Sequence, residues 1–288
     1  MPISGTLADA VADRAGTRPQ PLHALPTFDS VDVTERTDPV LIRVYRPRGL
    51  TGPLPATLWL HGGGFVLGNI DHVHQAAAQA AAYASAVVVA VGYRLAPEHP
   101  YPAGLEDSYA ALEWLAAEAS DLGVDASRLG VAGASSGAAL ATGVALLARD
   151  RGGPPLVFQH LTTPALDDRL DTASMLTLTD APIWNRGLAA ESWRLYLGGE
   201  HVAASGYAAP ARAEDLAGLP PAYISTAGLD PLRDEGILYA LRLAQAGVPV
   251  ELHNFPGFYH AFGGPDVPEE QHRIAVEHLA ALKHGLWP

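Results

Sequence analysis

The chain has no cysteine, so disulfides, cysteine-ligated zinc and thiol nucleophiles are excluded. Lysine is almost absent: Lys283, near the C-terminus, stands alone, which removes Schiff-base, P-loop and Ser–Lys chemistry. Cationic charge is in deficit, 18 Lys and Arg against 31 Asp and Glu for a formal net charge of −13, so neither nucleic acid nor an anionic membrane surface is expected as a partner. No apolar run reaches the ~20 residues that span a bilayer. The first residues carry Asp9, Asp13 and Arg14 and do not read as a secretory signal, so a cytoplasmic location is expected. Nucleophilic chemistry is left to Ser, Thr, Asp, Glu or His.

What is present is a globular composition, 48% hydrophobic over 288 residues, enough for one large α/β domain. Short β-branched runs alternate with Ala/Leu-rich helical ones, as in a wound sheet. Strands are predicted at 30–34, 41–46, 56–60, 86–93, 128–132, 156–163, 222–226 and 248–255, the first two pairing antiparallel. Helices are predicted at 74–85, 105–119, 137–149, 233–246 and 269–286. The interval between Pro164 and Ala222 breaks the alternation and holds a helical stretch at 184–197; a loop of that length reads as a lid over the strand C-terminal ends.

Ser135 lies in Gly133-Ala134-Ser135-Ser136-Gly137, after one predicted strand and before one predicted helix. That is a strand-turn-helix elbow, in which the glycines allow strand and helix to approach and the hydroxyl is lifted clear. His61-Gly62-Gly63-Gly64-Phe65 follows another strand, and its uncrowded N–H groups suit an oxyanion. Gly63 and Gly64 are assigned as donors, with the N–H of Ser136 as a third. Asp230 ends the next-to-last strand and is followed by Pro231; His260 follows the last. The chain order Ser135, Asp230, His260 is the order expected of α/β-hydrolases. Asp234 reads as a charge in a helix's first turn.

The other histidines are assigned elsewhere. His61 is expected to hold the glycine loop, His160 and His253 fall within strands, and His272, His278 and His284 are placed on exposed faces of the last helix. His72 and His74 lack a third ligand, so no metal site is expected. Phe65, Trp184, Tyr207, Tyr259 and Phe262 lie near the motifs or in the lid and are candidate walls of an apolar substrate pocket.

Together with Tyr93-Arg94-Leu95-Ala96-Pro97-Glu98-His99-Pro100-Tyr101-Pro102-Ala103, Asp230-Pro231-Leu232-Arg233-Asp234-Glu235 and His260-Ala261-Phe262, these motifs resemble the hormone-sensitive-lipase-like carboxylesterases. The resemblance runs from about Leu41 to the C-terminus. It implies an α/β-hydrolase fold, a mostly parallel eight-stranded sheet with a small helical cap, and hydrolysis of short- to medium-chain acyl esters without a cofactor. The corresponding organisation is an N-terminal cap segment at 1–28, core at 29–167, a cap insertion at 168–218 and core again at 219–288. Family members usually carry Asp or Thr before the nucleophile and Ala then two glycines after it; Ala134, Ser136, Gly137 and Ala138 stand here, and backbone donors are indifferent to that change. The N-terminal segment is shorter than the resemblance implies, so a thinner lid and a more open pocket are expected. An amidase or lactonase on the same triad is the near alternative, and a non-catalytic small-molecule receptor the distant one. A homodimer is compatible with the resemblance.

Overall fold

A computed structural model of the chain describes residues 7–14, 18–199, 203–263 and 268–288. Parts of both expected cap segments, residues 1–6, 15–17 and 200–202, lie outside the described residues. Eight strands form one sheet: β1 (Val31–Arg36), β2 (Leu41–Pro47), β3 (Leu54–Leu60), β4 (Val87–Gly92), β5 (Val124–Ala134), β6 (Leu156–Thr162), β7 (Ala222–Ala227) and β8 (Val250–Phe255). Their spatial order is β1-β2-β4-β3-β5-β6-β7-β8. The β1–β2 and β2–β4 pairs are antiparallel and the rest parallel. The predicted strands are all present. β5 starts four residues earlier than expected, because Val124 pairs with Leu54 across an irregularity in register.

The central strands read as continuous apolar runs because helices cover both faces. On one face lie α3 (Ala103–Ala117), α4 (Ser136–Arg151) and α7 (Arg233–Gln245), whose buried side chains join Leu58, Leu60, Val89, Val131 and Ile224 in the main core. On the other lie α2 (His74–Ala84) and α8 (Pro268–Leu286), packed with Val88, Ala90, Phe158 and Tyr223. α4 is buried from Ser136 to Ala148, which explains its Ala and Gly content: a helix enclosed on all sides has no polar face to show.

The strand order reverses between β3 and β5, since β3 is followed in sequence by β4 on one side and has β5 on the other. Open α/β sheets bind ligands at such a switch point, outside the strand C-terminal ends. Above it sit α1 (Leu7–Arg14) and α6 (Arg186–Leu197), while α5 (Ala173–Thr177) packs on α7. Leu7 and Val11 of α1 pack with Leu188 and Leu195 of α6 and with Val66, Leu67 and Ala96 beneath them. Arg14 also pairs with Glu98 at 2.5 Å. The chain after α1 is clipped to the core at Gln20, whose N–H donates to Asp71 Oδ2 and whose carbonyl accepts from the fully buried Arg43. Arg43 is itself neutralised by Glu35 and Asp71. Lys283 is exposed on α8, over the ring of Tyr83. Among the described residues no helix is long and apolar enough to cross a membrane.

One placement corrects the sequence reading. His278 does not face solvent: it falls on the buried stripe Ile274, Leu282, Leu286 and meets His160 at 5.5 Å, Tyr223 at 5.6 Å and Phe262 at 5.1 Å between ring centroids. Helical spacing of i, i+4 and i+8 places it there. Burial holds His160 down at about 4, and burial with the neighbouring His160 holds His278 down at about 3, against 6.5 for a free imidazole. Both are therefore neutral in the fold while the unfolded chain binds protons below about 6.5, so their contribution to stability is full above that pH and is lost as the pH falls towards 4 and 3. Urea denaturation at pH 7 and pH 5 is expected to show a loss of up to ~1.4 kcal/mol per pH unit for each histidine, and His278→Phe is expected to flatten that dependence.

Candidate active site

Ser135 occupies the turn between β5 and α4 with φ 56° and ψ −123°, a strained conformation for a residue with a Cβ. Its backbone is held on both sides. The N–H donates to Thr162 O at 2.9 Å, and the carbonyl accepts from Ala138 N, Ala139 N and Ala165 N at 3.0 to 3.2 Å. The glycines around it are required by close approach. A Cβ on Gly137 would run into the carbonyls of Leu60 and His61, and one on Gly133 into the carbonyl of Gly137. A Cβ on Gly62 would stand 3.0 Å from Ala134 O and 3.3 Å from Ser135 Cβ, so the elbow and the loop after β3 lie backbone against backbone.

Asp230 and His260 are brought to the same rim by the ends of β7 and β8. His260 Nε2 is 2.9 Å from Ser135 Oγ, and His260 Nδ1 is 2.7 Å from Asp230 Oδ2. The other carboxylate oxygen of Asp230 accepts from Leu232 N at 2.9 Å, in the turn leading to α7. A carboxylate only accepts, so Nδ1 carries the imidazole hydrogen and Nε2 is left to accept from the serine hydroxyl. The three residues are 0%, 5% and 6% exposed for Asp230, His260 and Ser135.

Each peptide of the glycine loop is oriented by its carbonyl. His61 Nδ1 reaches Gly62 O at 2.8 Å, and Val66 N and Leu67 N donate to Gly63 O at 3.2 and 2.8 Å. In a trans peptide the N–H points opposite to the C=O. Fixing those two carbonyls therefore fixes the N–H groups of Gly63 and Gly64, which together with that of Ser136 find no acceptor among the described residues. His61 is suited to this task because burial lowers it to about 4, keeping it neutral, and Tyr93 OH donates to its carbonyl at 2.5 Å while stacking on its ring.

The five aromatic candidates separate. The Trp184 ring lies 5.8 Å from that of His260 and presses its far edge towards Gly64. Tyr259 precedes His260 and is half-buried, its N–H donating to Gly263 O at 2.7 Å. Phe65 is buried behind the glycine loop, stacked on Tyr196 at 3.9 Å. Phe262 turns away from the rim to pack on Phe255 and His278, so it secures the histidine loop from below. Tyr207 is not at the site: its hydroxyl donates to Asp150, near the far end of α4 and roughly 20 Å of helix from Ser135. His74 is taken up by Tyr45 OH and Pro26 O, both at 2.9 Å.

Two acidic residues of the motif after Asp230 have roles that sequence spacing did not reveal. Asp234 accepts from Ser174 N at 2.7 Å, tying α5 to α7. Glu235 is buried, and its Oε1 accepts from Leu166 N at 2.5 Å and Asp167 N at 3.2 Å; burial raises its pKa well above the carboxylate range. It holds the segment whose Ala165 N–H supports the Ser135 carbonyl.

A hydroxyl lifted from a strand-helix elbow at the switch point, joined through imidazole to a carboxylate and facing a glycine loop, defines the site of an α/β hydrolase. The model of the alpha/beta hydrolase fold family matches residues 57–263. Carboxylesterase NlhH of Mycobacterium tuberculosis is 43% identical over 273 residues, covering 91% of this chain and 85% of its own. Esterase LipI of the same organism is 43% identical over 286 residues, covering 96% and 89%. A solved bacterial heroin esterase is 44% identical with a TM-score of 0.85, covering 97% of this chain and 90% of that one. The chain belongs to the α/β-hydrolase family, within its hormone-sensitive-lipase-like group of carboxylesterases. Because a methyl on Gly137 has backbone on two sides, Gly137→Ala is expected to cost at least 1–3 kcal/mol, measured as a lowered thermal midpoint, and to reduce turnover in whatever protein folds.

Proposed function

We propose that the ester hydrolysis of this chain proceeds through an acyl-enzyme on Ser135, and the observation that carries the reading is the unbroken line Asp230–His260–Ser135 at 2.7 and 2.9 Å. As Ser135 Oγ attacks the ester carbonyl, its proton passes to His260 Nε2. The carbonyl oxygen becomes an anion and is received by the N–H groups of Gly63, Gly64 and Ser136. His260 Nε2–H then protonates the departing alcohol oxygen as the C–O bond breaks. Water enters, gives its proton to His260 and attacks the acyl carbon, and collapse returns the proton to Ser135 with release of the acid. Asp230 keeps Nδ1–H directed and stabilises the imidazolium in both halves. Water is the sole co-reactant, so the steps balance without a cofactor.

The names of the relatives support an ester over an amide or lactone, and the intact triad supports turnover over mere binding. The indole of Trp184 beside His260 and Gly64 narrows the space over Ser135, which favours short- to medium-chain acyl groups. α1 and α6 act as the cap. Self-association belongs to the same proposal: β8 leaves one sheet edge unpaired among the described residues, it exposes Leu252, and the adjoining α7 exposes Leu238 and Leu241.

Hydrolysis of p-nitrophenyl acetate, butyrate, octanoate and palmitate is expected to be fastest for the shorter acyl groups, with Trp184→Ala moving the optimum to longer chains. Ser135→Ala and Asp230→Asn are each expected to lower kcat by about 10⁴-fold or more. Near-native turnover by Ser135→Ala would overturn the assignment. Light scattering is expected to give twice the monomer mass, and Leu252→Arg to return it to the monomer.

A further inference from the structure

The third carbonyl of the glycine loop, that of Gly64, is claimed from the cap. Ser192 of α6, 2% exposed, donates its hydroxyl to Gly64 O at 2.5 Å and is the one donor to it among the described residues. The neighbouring residues of the same helix face hold the next residue of the loop. Tyr196 stacks on Phe65 at 3.9 Å with planes 11° apart, and Trp193 tilts against it at 5.0 Å. Residues 192, 193 and 196 share one side of α6.

That grip opposes a specific strain. Gly64 has φ +60° and Phe65 has φ +64°, so a bulky residue with a Cβ is held in the left-handed region. Turning over the peptide between them would relieve Phe65, and Gly64 offers little steric resistance to the turn. The hydrogen bond from Ser192 fixes that peptide plane, while Ala96 N–H fixes the far side of Phe65 at 3.1 Å. Without the Ser192 bond a buried carbonyl loses its partner, a loss that favours the flipped form. Once the plane turns, the Gly63–Gly64 peptide is held only through Gly63 O, by the N–H groups of Val66 and Leu67 that lie beyond the turned peptide, and the N–H of Gly64 is less closely aimed at the oxyanion.

We propose that Ser192 is a positioning residue of the oxyanion hole, through which docking of α6 becomes a condition of turnover. The inference rests on the acyl-enzyme reading and on Gly64 as a donor. Its effect is confined to the tetrahedral state, because the oxyanion forms there and the bound ester makes little use of the hole.

The test compares wild type, Ser192→Ala and Ser192→Cys for kcat and KM with p-nitrophenyl butyrate, and for the inhibition constant of phenylboronic acid, which becomes tetrahedral on the serine. Ser192→Ala is expected to lower kcat by about 10- to 100-fold, less than the ~10²–10³ of a deleted donor, with KM within about twofold. The boronate inhibition constant is expected to rise in parallel. Ser192→Cys, close in volume and a weaker donor, is expected to fall between the two, and it carries the test alone if the alanine variant does not fold. Wild-type kcat in the variants, a rise in KM alone, or a fall in kcat with unchanged boronate affinity would overturn the proposal. A wild-type protein inactive on the ester, or Ser135→Ala still active, would instead overturn the acyl-enzyme reading.

Discussion

The site depends on one close approach: the backbone of β5 and α4 at the Ser135 elbow touching the backbone of the loop that leaves β3. Gly62, Gly133 and Gly137 make it possible, since each meets main chain where a Cβ would stand. With that contact go the strained φ of Ser135 and the placing of its hydroxyl at the reversal of strand order. The strain is tolerated because Thr162, Ala138, Ala139 and Ala165 bond the elbow from several directions, so that relaxing φ would break several hydrogen bonds together.

The site is held in place by buried polar groups. His61, kept uncharged by burial, orients the glycine loop, and Glu235, its pKa raised by burial, grips the segment behind Ser135. The buried charge of Arg43 is compensated by Glu35 and Asp71. Support thus reaches the triad through backbone contacts, and among the described residues the His260 ring bonds to no side chain besides Asp230 and Ser135.

Legibility followed the range of each signal. Ser135, Asp230 and His260 each sit just past a strand, and local sequence shows strand ends and glycine turns, so all three could be named and are found together. The parallel neighbours β3 and β5 are separated by a strand and two helices, and only tertiary packing sets them side by side. Aromatics near motifs misled where sequence nearness was taken for spatial nearness: Phe262 points to α8, and Tyr207 reaches the remote end of α4. Ser192 belongs to no motif. Its signal was a lone polar residue on the apolar face of α6, beside Trp193 and Tyr196, much as His278 was marked by its place on the stripe of Ile274, Leu282 and Leu286.

The solitary Lys283 has a practical corollary. It is exposed near the C-terminal end of α8, where Leu286 packs beside Gly130 and Arg128 lies over Trp287, at the opposite end of β5 from Ser135. Besides the α-amine, which reagents selective for ε-amines at high pH leave in the minority, amine-directed coupling meets a single side chain, and it lies at the opposite end of β5 from Ser135. Coupling through it would tether copies to a solid support in a common orientation, with the cleft turned outward to the substrate stream.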